Sequence, residues 1–391
     1  MSKLSELIAR LCPNGVEYKK LGEIVDYEQP GKYIVRDTNY DNSYKTPVLT
    51  AGQTFVLGYT NETDNHYMAS GEKPVIIFDD FTTAFQWVDF EFKVKSSAMK
   101  MLTSRSEEVA SLRYIYYAMQ CIHYKPVDHS RHWIEKFSNF SIPLPPLPVQ
   151  REIVQILDNF ANLTAELTAE LTAELAKRKK QYEHYRDMLL NFEGGGRYDK
   201  FGVESGEFRV EWKRLGEIIE SGAINMMRGD YITKKEAAPG EIPVILGGQE
   251  PAYFINRFNH EGKAIVISRS GASAGFVSYW NEPIFVTDGF AFDCDESRLN
   301  TRYLFHWMKN NQARLNGMKK GGGVPHITGE NLKSLEIPLP PLAEQKRIVA
   351  ILDRFDSLCN SLTEGLPAEI ALRKKQYEYY RDRLLSFKEV G

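Results

Sequence analysis

The sequence predicts an α/β (α+β) chain. Two globular domains of like fold are separated by two long helices packed as an antiparallel coiled coil, and the whole is a pseudo-twofold internal repeat. Three observations predict this. Ile142-Pro-Leu-Pro-Pro-Leu147 returns 195 positions on as Ile337-Pro-Leu-Pro-Pro-Leu342. After each marker, apolar residues recur every three or four positions over a stretch long enough for many helical turns. Before each marker lie short β-type runs separated by Gly, Asn and Thr turns.

The repeat keeps its offset downstream. Ile153-Val-x-Ile-Leu-Asp158 matches Ile348-Val-x-Ile-Leu-Asp353, Arg178-Lys-Lys-Gln-Tyr-Glu183 matches Arg373-Lys-Lys-Gln-Tyr-Glu378, and Tyr185-Arg-Asp matches Tyr380-Arg-Asp. Near the start of each half, Val16-Glu-Tyr-Lys-Lys-Leu-Gly-Glu-Ile24 echoes Val210-Glu-Trp-Lys-Arg-Leu-Gly-Glu-Ile218. The two halves join near Glu193-Gly-Gly-Gly-Arg197, a helix stop and hinge. The resulting division is 1–145 and 193–340 for the globular domains, with long helices over 146–192 and 341–391.

In the first helix, Leu163, Leu167, Leu171 and Leu175 recur through three tandem Thr-Ala-Glu-Leu units. Leu358, Leu362, Leu366 and Ile370 take the matching places in the second, where Gly365 and Pro367 predict a kink or break. Each helical region covers roughly 45 residues, about 65–70 Å. One apolar stripe on so long a helix needs a partner, and the two regions are each other's simplest partner. In the globular regions, residues 46–50, 73–78, 242–246 and 264–268 read as strands, while 111–122 and 301–315 read as short helices.

Composition narrows the function classes. Of 391 residues, 42% are hydrophobic and 26% charged, values of a soluble globular chain. No apolar run approaches a membrane span, and the first residues lack the pattern of a signal peptide, so a cytoplasmic location is expected. Cys12, Cys121, Cys294 and Cys359 lie far apart, which supports neither a disulfide frame nor a zinc site. A net charge of −3 excludes a globally basic surface but leaves room for a basic face.

The helices match closely between halves while the globular regions match only at a few anchors. Matching parts perform one job twice, and divergent parts on a common scaffold recognise two different things. Two readers on a spacer suit a split DNA target, and the alternative is a repeat-built protein-binding adaptor. No Asn-Pro-Pro-Tyr or Asp-Pro-Pro-Tyr/Phe run marks a methyltransferase, and no Gly-x-x-x-x-Gly-Lys-Ser/Thr marks an ATP-driven motor. Asp80 followed by Glu91-Phe-Lys93 has the spacing of a metal-dependent nuclease, although residues 88–94 alternate as any half-buried strand does. The basic clusters Lys177-Arg-Lys-Lys180 and Arg373-Lys-Lys375 suit DNA phosphates, an acidic partner or a solvated helix face.

The doubled Ile-Pro-Leu-Pro-Pro-Leu stretch running into a long helix resembles the specificity subunit of type I restriction–modification enzymes. The Arg-Lys-Lys-Gln-Tyr-x-x-Tyr-Arg-Asp ends share the resemblance, and the Thr-Ala-Glu-Leu array is most similar to the subfamily called type IC. Pro47-Val-Leu-Thr-Ala-Gly-Gln53, Phe78-Asp-Asp-Phe-Thr-Thr83 and Gly321-Gly-Gly-Val-Pro-His-Ile327 resemble target recognition domains. The resemblance implies a non-catalytic, DNA-reading subunit for a bipartite asymmetric target on double-stranded DNA. It also implies two methyltransferase subunits as partners, through which translocase/nuclease subunits join. No cofactor is implied in this chain: S-adenosylmethionine, ATP and Mg²⁺ belong to those partners.

Candidate DNA contacts are polar and basic residues of the expected loops. In the first domain they are Thr50, Gln53, Thr54, Thr82, Thr83, Ser96, Ser97, Lys100, Arg131 and His132. In the second they are Arg228, Gln249, Ser268, Arg269, Ser270, Lys319, Lys320 and His326. Arginine bonds guanine bidentately, glutamine bonds adenine, and hydroxyls take bases or phosphates. His129, with His132 and His326, is a further candidate just before a helix.

The Thr-Ala-Glu-Leu array generates a prediction. Removing one unit shortens the helix by about 6 Å and rotates its end only about 40° beyond a full turn, so the stripe stays nearly in register. At about 3.4 Å per base pair, the unread spacer should shorten by roughly one to two base pairs. Sequencing the methylome of a host carrying the deletion reads this directly. Altered half-site bases with an unchanged spacer would refute the ruler.

Overall fold

The structure, a computed structural model, describes residues 2–52, 54–128, 130–192, 209–232, 238–246, 250–321, 324–361 and 364–390. The expected hinge near Glu193–Arg197, and Gln53, His129, Gln249 and Leu362, lie outside the described residues. The chain divides into two compact units. The first comprises Met1–Glu170 with Ile370–Gly391, and the second Leu171–Glu369.

In the first unit a four-stranded antiparallel sheet runs Val25–Glu28, Met99–Ser104, Val75–Asp79, Phe85–Val88. The middle strand Val75–Asp79 is buried on both faces, and its period of two sorts the side chains. Ile76 and Phe78 pack toward helix Leu112–Met119 and Trp133, while Val75 and Ile77 pack with Leu49, Val88 and Phe92. The latter core is completed by a three-stranded sheet of Val56–Thr60, Thr46–Leu49 and Lys93–Val94, with one antiparallel and one parallel pairing. A separate ribbon joins Glu17–Lys20 to Ser141–Leu144, so the first Pro-rich marker begins as a strand.

The second unit repeats this plan. Its four-stranded sheet runs Ile224–Arg228, Gly289–Cys294, Lys263–Ser268, Val277–Asn281. Tyr253–Ile255, Ile242–Ile245 and Phe285–Val286 form the three-stranded sheet, and Glu211–Arg214 pairs with Glu336–Leu339. Ile265 and Ile267 face helix Thr301–Asn310, while Ala264 and Val266 face the other way. Identical strand order and pairing sense, under sequences that barely match, establish two copies of one fold.

The helical regions follow. Leu147–Leu190 is one helix of 44 residues, and the C-terminal region is two helices, Leu342–Asn360 and Leu366–Leu384. The break falls where Gly365 and Pro367 stand: Gly365 has a φ of 85°, and a Cβ there would lie 2.7 Å from the carbonyl oxygens of Ser357 and Leu358. Within the first unit, Phe160 packs on Tyr377 and Tyr380, and Val149, Ile153 and Leu157 share a core with Leu385. Within the second, Tyr182 and Tyr185 pack on Phe355, and Leu189 and Leu190 share a core with Ile348 and Leu352. In each pair, advance along one helix matches retreat along the other, the expected antiparallel packing. The Thr-Ala-Glu-Leu leucines bury little: Leu163 is exposed, and Leu167, Leu171 and Leu175 are half-buried. No described helix is long and apolar enough to cross a membrane.

Two polar clamps fix each helix to its globular domain. Gln150 and Gln345, in the first turns after the Pro-rich markers, are buried. Gln150 accepts from Ser111 N (3.0 Å) and donates to the carbonyls of Pro145 (2.8 Å) and Val109 (2.9 Å). Gln345 accepts from Asn300 N (2.9 Å) and donates to Pro340 O (2.8 Å). About two turns further on, Asp158 takes Arg113 Nε (2.8 Å) and Tyr117 Oη (2.5 Å). Asp353 takes Arg302 Nε (2.7 Å) and His306 Nε2 (2.7 Å). Burial pushes the Asp353 carboxyl up, but these two donors outweigh it and hold its pKa below the ordinary value.

Two predictions follow from the clamps. Gln345→Ala should lower stability by roughly 1–3 kcal/mol for each buried group it leaves unpaired, with Gln150→Ala acting alike. Denaturant unfolding measures it, and a loss under about 0.5 kcal/mol would mean the glutamines are incidental. Since Asp353 binds its proton less readily folded than unfolded, its contribution is complete above the unfolded carboxylate range near about pH 4. That contribution falls away as the pH drops through the lower folded value. Asp353→Asn should flatten this acid limb in a series of unfolding curves, and an unaltered limb would contradict the assignment.

Candidate nucleic-acid interface

In the second unit, pairing register gathers several candidates at one sheet edge. Arg228, last in its strand, lies opposite Phe290, and Ser268 lies opposite Gly289 on the other side of the same strand. The chain then turns: Arg269 N donates to Asp288 O (3.0 Å), and Ile327 N donates back to Arg269 O (2.8 Å). Ser270 bridges to His326, and His326 pairs with Lys320 through two 2.9 Å backbone bonds. Arg228, Arg269, Ser270, Lys320 and His326 thus meet on adjoining segments. Gly229 makes the approach feasible, because a Cβ there would sit 2.6 Å from Thr287 O and 2.7 Å from Val286 O.

These segments enclose a cleft of about 500 Å³ lined by Arg228, Tyr231, Arg269, Ser270 and Asp288, among others. Arg228, Lys320 and His326 are exposed, Arg269 and Ser270 half-buried. Asp288 holds the pair together: one oxygen accepts Arg269 Nε at 2.8 Å, the other the Ser270 hydroxyl. Lys319 is half-buried and donates to Ala272 O (2.9 Å), bracing the loop. Ser268 is 2% exposed, so its hydroxyl is withdrawn from any ligand: strand alternation turns it inward.

The first unit shows the same edge with different occupants. Thr54, Thr82, Ser96, Ser97 and Arg131 are exposed. Backbone bonds from Asp80 N to Ala98 O (2.7 Å), His132 N to Asp80 O (2.8 Å) and Lys95 N to Leu49 O (3.2 Å) bring their loops side by side. Thr50 is half-buried and closes its own turn, accepting from Gly52 N and donating to Thr54 O.

Three first-domain candidates require correction. Lys100 is 1% exposed, its ammonium bonded to Asp80 Oδ2 (2.9 Å) and Gln29 Oε1 (3.1 Å). Such a charge is held by its partners and does not reach solvent. His132 is fully buried, with Nδ1 3.2 Å from Tyr124 Oη. Thr83 is buried and bonds Thr82 O, in a turn with φ of 58°. All three are structural groups beneath the edge rather than contacts on it.

The nuclease spacing also dissolves. Asp80 binds Lys100 and accepts from Trp133 N (2.9 Å), Glu91 binds His66, and buried Lys93 binds Glu62 (2.7 Å) and Asp64 O (3.0 Å). The three side chains bind separate sets of partners, none of them shared. Among the described residues no cluster of three or more His, Cys, Asp or Glu could hold a metal.

Asp288 and Tyr231 were missed in the sequence. Reading for DNA contacts selects cations, amides and hydroxyls, and an acid next to a strand glycine carries no such signal; only the pairing register puts it beside Arg269. Tyr231 is 86% exposed at the cleft, a large aromatic left to solvent, and its sequence neighbourhood gives no hint of this. In the helices, Lys177, Lys179 and Lys180 are exposed, while Arg178 bonds Glu174 (2.6 Å).

Comparison with known proteins bears on the whole chain. A family model described as the type I restriction modification DNA specificity domain matches residues 13–177 and again 209–372. The chain is 42% identical to the EcoR124I/EcoR124II type I restriction enzyme specificity subunit of Escherichia coli, covering 99% of this chain and 98% of that one. It is 32% identical to a putative type I restriction enzyme specificity subunit of Haemophilus influenzae, covering 95% and 96%. Among solved structures, a chain from a study of complex assembly and conformational transition in the type I R-M system superimposes with a TM-score of 0.61. Its identity is 17%, over 95% of this chain and 98% of that chain. A type I restriction–modification S subunit from M. genitalium gives 0.54 at 16%, over 95% and 96%. At such identities the solved structures speak to fold alone. The doubled family match and the full-length relatives settle membership: this chain belongs to the family of type I restriction–modification DNA specificity subunits.

Proposed function

We propose that the chain reads a bipartite, asymmetric sequence in double-stranded DNA, one half-site per globular domain, and contributes no catalytic group. Residues 1–145 and 193–340 are the target recognition domains in this reading, and the helical regions 146–192 and 341–391 join and space them. The observation that carries it is the same fold built twice, with different side chains on the equivalent exposed loop edge. Equal scaffolds allow equal approach to a groove, and unequal edges select different bases.

The matched helices offer the same surface twice, which suits two copies of one partner. In this reading that partner is the methyltransferase subunit, through which translocase/nuclease subunits are recruited. S-adenosylmethionine, ATP and Mg²⁺ then act in those subunits, and the complex works in the cytoplasm, where the four free cysteines stay reduced. The tandem Thr-Ala-Glu-Leu units support a type IC-like assignment.

The test is methylome sequencing of a host carrying this chain with its methyltransferase. One bipartite adenine-methylated motif is the expected result, and its absence would favour the adaptor reading. Exchanging residues 193–340 for those of another family member should alter one half-site and preserve the other. A change in both would contradict the division of labour.

A further inference from the structure

The most informative group outside that reading is the acid at the second domain's edge. A carboxylate facing DNA repels phosphate, and its presence inside a basic cleft calls for a compensating role. Asp288 has both oxygens engaged, one by Arg269 Nε and one by the Ser270 hydroxyl, while its backbone carbonyl accepts Arg269 N. It is therefore a fixed support. Its bond to Nε leaves both terminal nitrogens of Arg269 without a partner among the described residues, on a side chain that is 36% exposed at the cleft.

The first domain shows what the same position becomes when it is not used. Asp79 pairs with Met99 as Ser268 pairs with Gly289, so Asp80 and Arg269 occupy equivalent places. By the same register Lys100 stands where Phe290 does. In the first domain the acid is on the turn, the base is on the strand, and the pair is sealed at 1% exposure. In the second the base is on the turn, its acid precedes the neighbouring strand, and the guanidinium opens onto the cleft. One corner of the fold has been built as a closed ion pair in one copy and as a presented arginine in the other.

We propose that Asp288 is a positioning residue for base recognition: it locks the plane of Arg269 so that the two terminal nitrogens form a preset fork for the O6 and N7 of one guanine. The inference rests on the proposed DNA-reading role. A planar guanidinium held through Nε presents its end-on fork in one orientation, and its rotamer freedom is given up during folding rather than during binding. Ser270 serves as the second anchor of the carboxylate.

The experiment uses the chain assembled with its methyltransferase, comparing wild type with Asp288→Ala, Asp288→Asn, Arg269→Ala and the Asp288→Ala/Arg269→Ala double variant. Methylome sequencing identifies the motif, and binding to duplexes substituted at each motif position gives the discrimination. Asp288→Ala and Arg269→Ala should both lose roughly tenfold or more at the same single guanine. The double variant should be no worse than Arg269→Ala, and the other half-site, unchanged, reports intact folding. Binding to unrelated DNA should stay level or tighten in Asp288→Ala, since a negative charge has been removed. Asp288→Asn keeps an acceptor for Nε and should retain part of the discrimination. If Asp288→Ala fails to assemble, Asp288→Asn and Ser270→Ala should each lose a few-fold at that guanine.

Unchanged discrimination in the Asp288 variants, or loss at positions other than those of Arg269→Ala, overturns the proposal. A wild-type complex with no bipartite motif would instead overturn the reading beneath it, so the two failures are distinguishable.

Discussion

The seating of each long helix on its globular domain is the constraint from which the rest of the architecture follows. A buried glutamine in the first turns, Gln150 or Gln345, takes the backbone groups of the domain and of the proline that follows the Pro-rich strand at once. An amide buried without those partners would be strongly unfavourable, so the helix has one permitted seat. Tyr114 and Tyr303 reinforce it from the domain side, each donating to a carbonyl of the Pro-rich strand, at 2.8 Å from Pro143 O and 2.9 Å from Pro338 O. Because the same bonds occur twice, both domains are mounted on their helices in the same way. The loop edges are then free to vary without disturbing the mount.

That separation explains what was legible in the sequence. The repeat, the helices and the break at Gly365 were readable because they depend on local rules: proline and glycine backbone limits, and apolar spacing along a helix. The strands at 46–49, 75–79, 242–245 and 263–268 were likewise visible as short β-type runs. Fold equivalence of the two domains was inferred from the surrounding repeat, since the domain sequences themselves share little.

The site was only partly legible. Arg228, Arg269, Ser270, Lys320 and His326 lie together on one edge, while Lys100, His132, Ser268 and Thr83 lie inside. Residue type cannot separate these cases. Lys100 and Arg269 are both cations beside an acid, and they differ in whether the register aims the pair into the core or at the rim. The decision is made by pairing across strands roughly twenty or more residues apart, which no local window contains. Asp288 was invisible for the same reason.

The composition of the first unit has a consequence for how the chain is made. Its core joins Ile153, Leu157 and Tyr114 to Leu385, with Tyr377 and Leu384 packed alongside, and Val16 pairs with Glu389. The first domain is thus completed by a segment, Ile370–Gly391, that follows the whole second unit in sequence. The second unit, contiguous in sequence, has all its parts sooner. Because translation runs from the N-terminus, the first domain's apolar seam stays uncovered until Ile370–Gly391 has been made, and a chain that stops before Ile370 leaves it open. Only a chain that includes Ile370–Gly391 covers that seam, and exposed apolar surface of this kind is aggregation-prone.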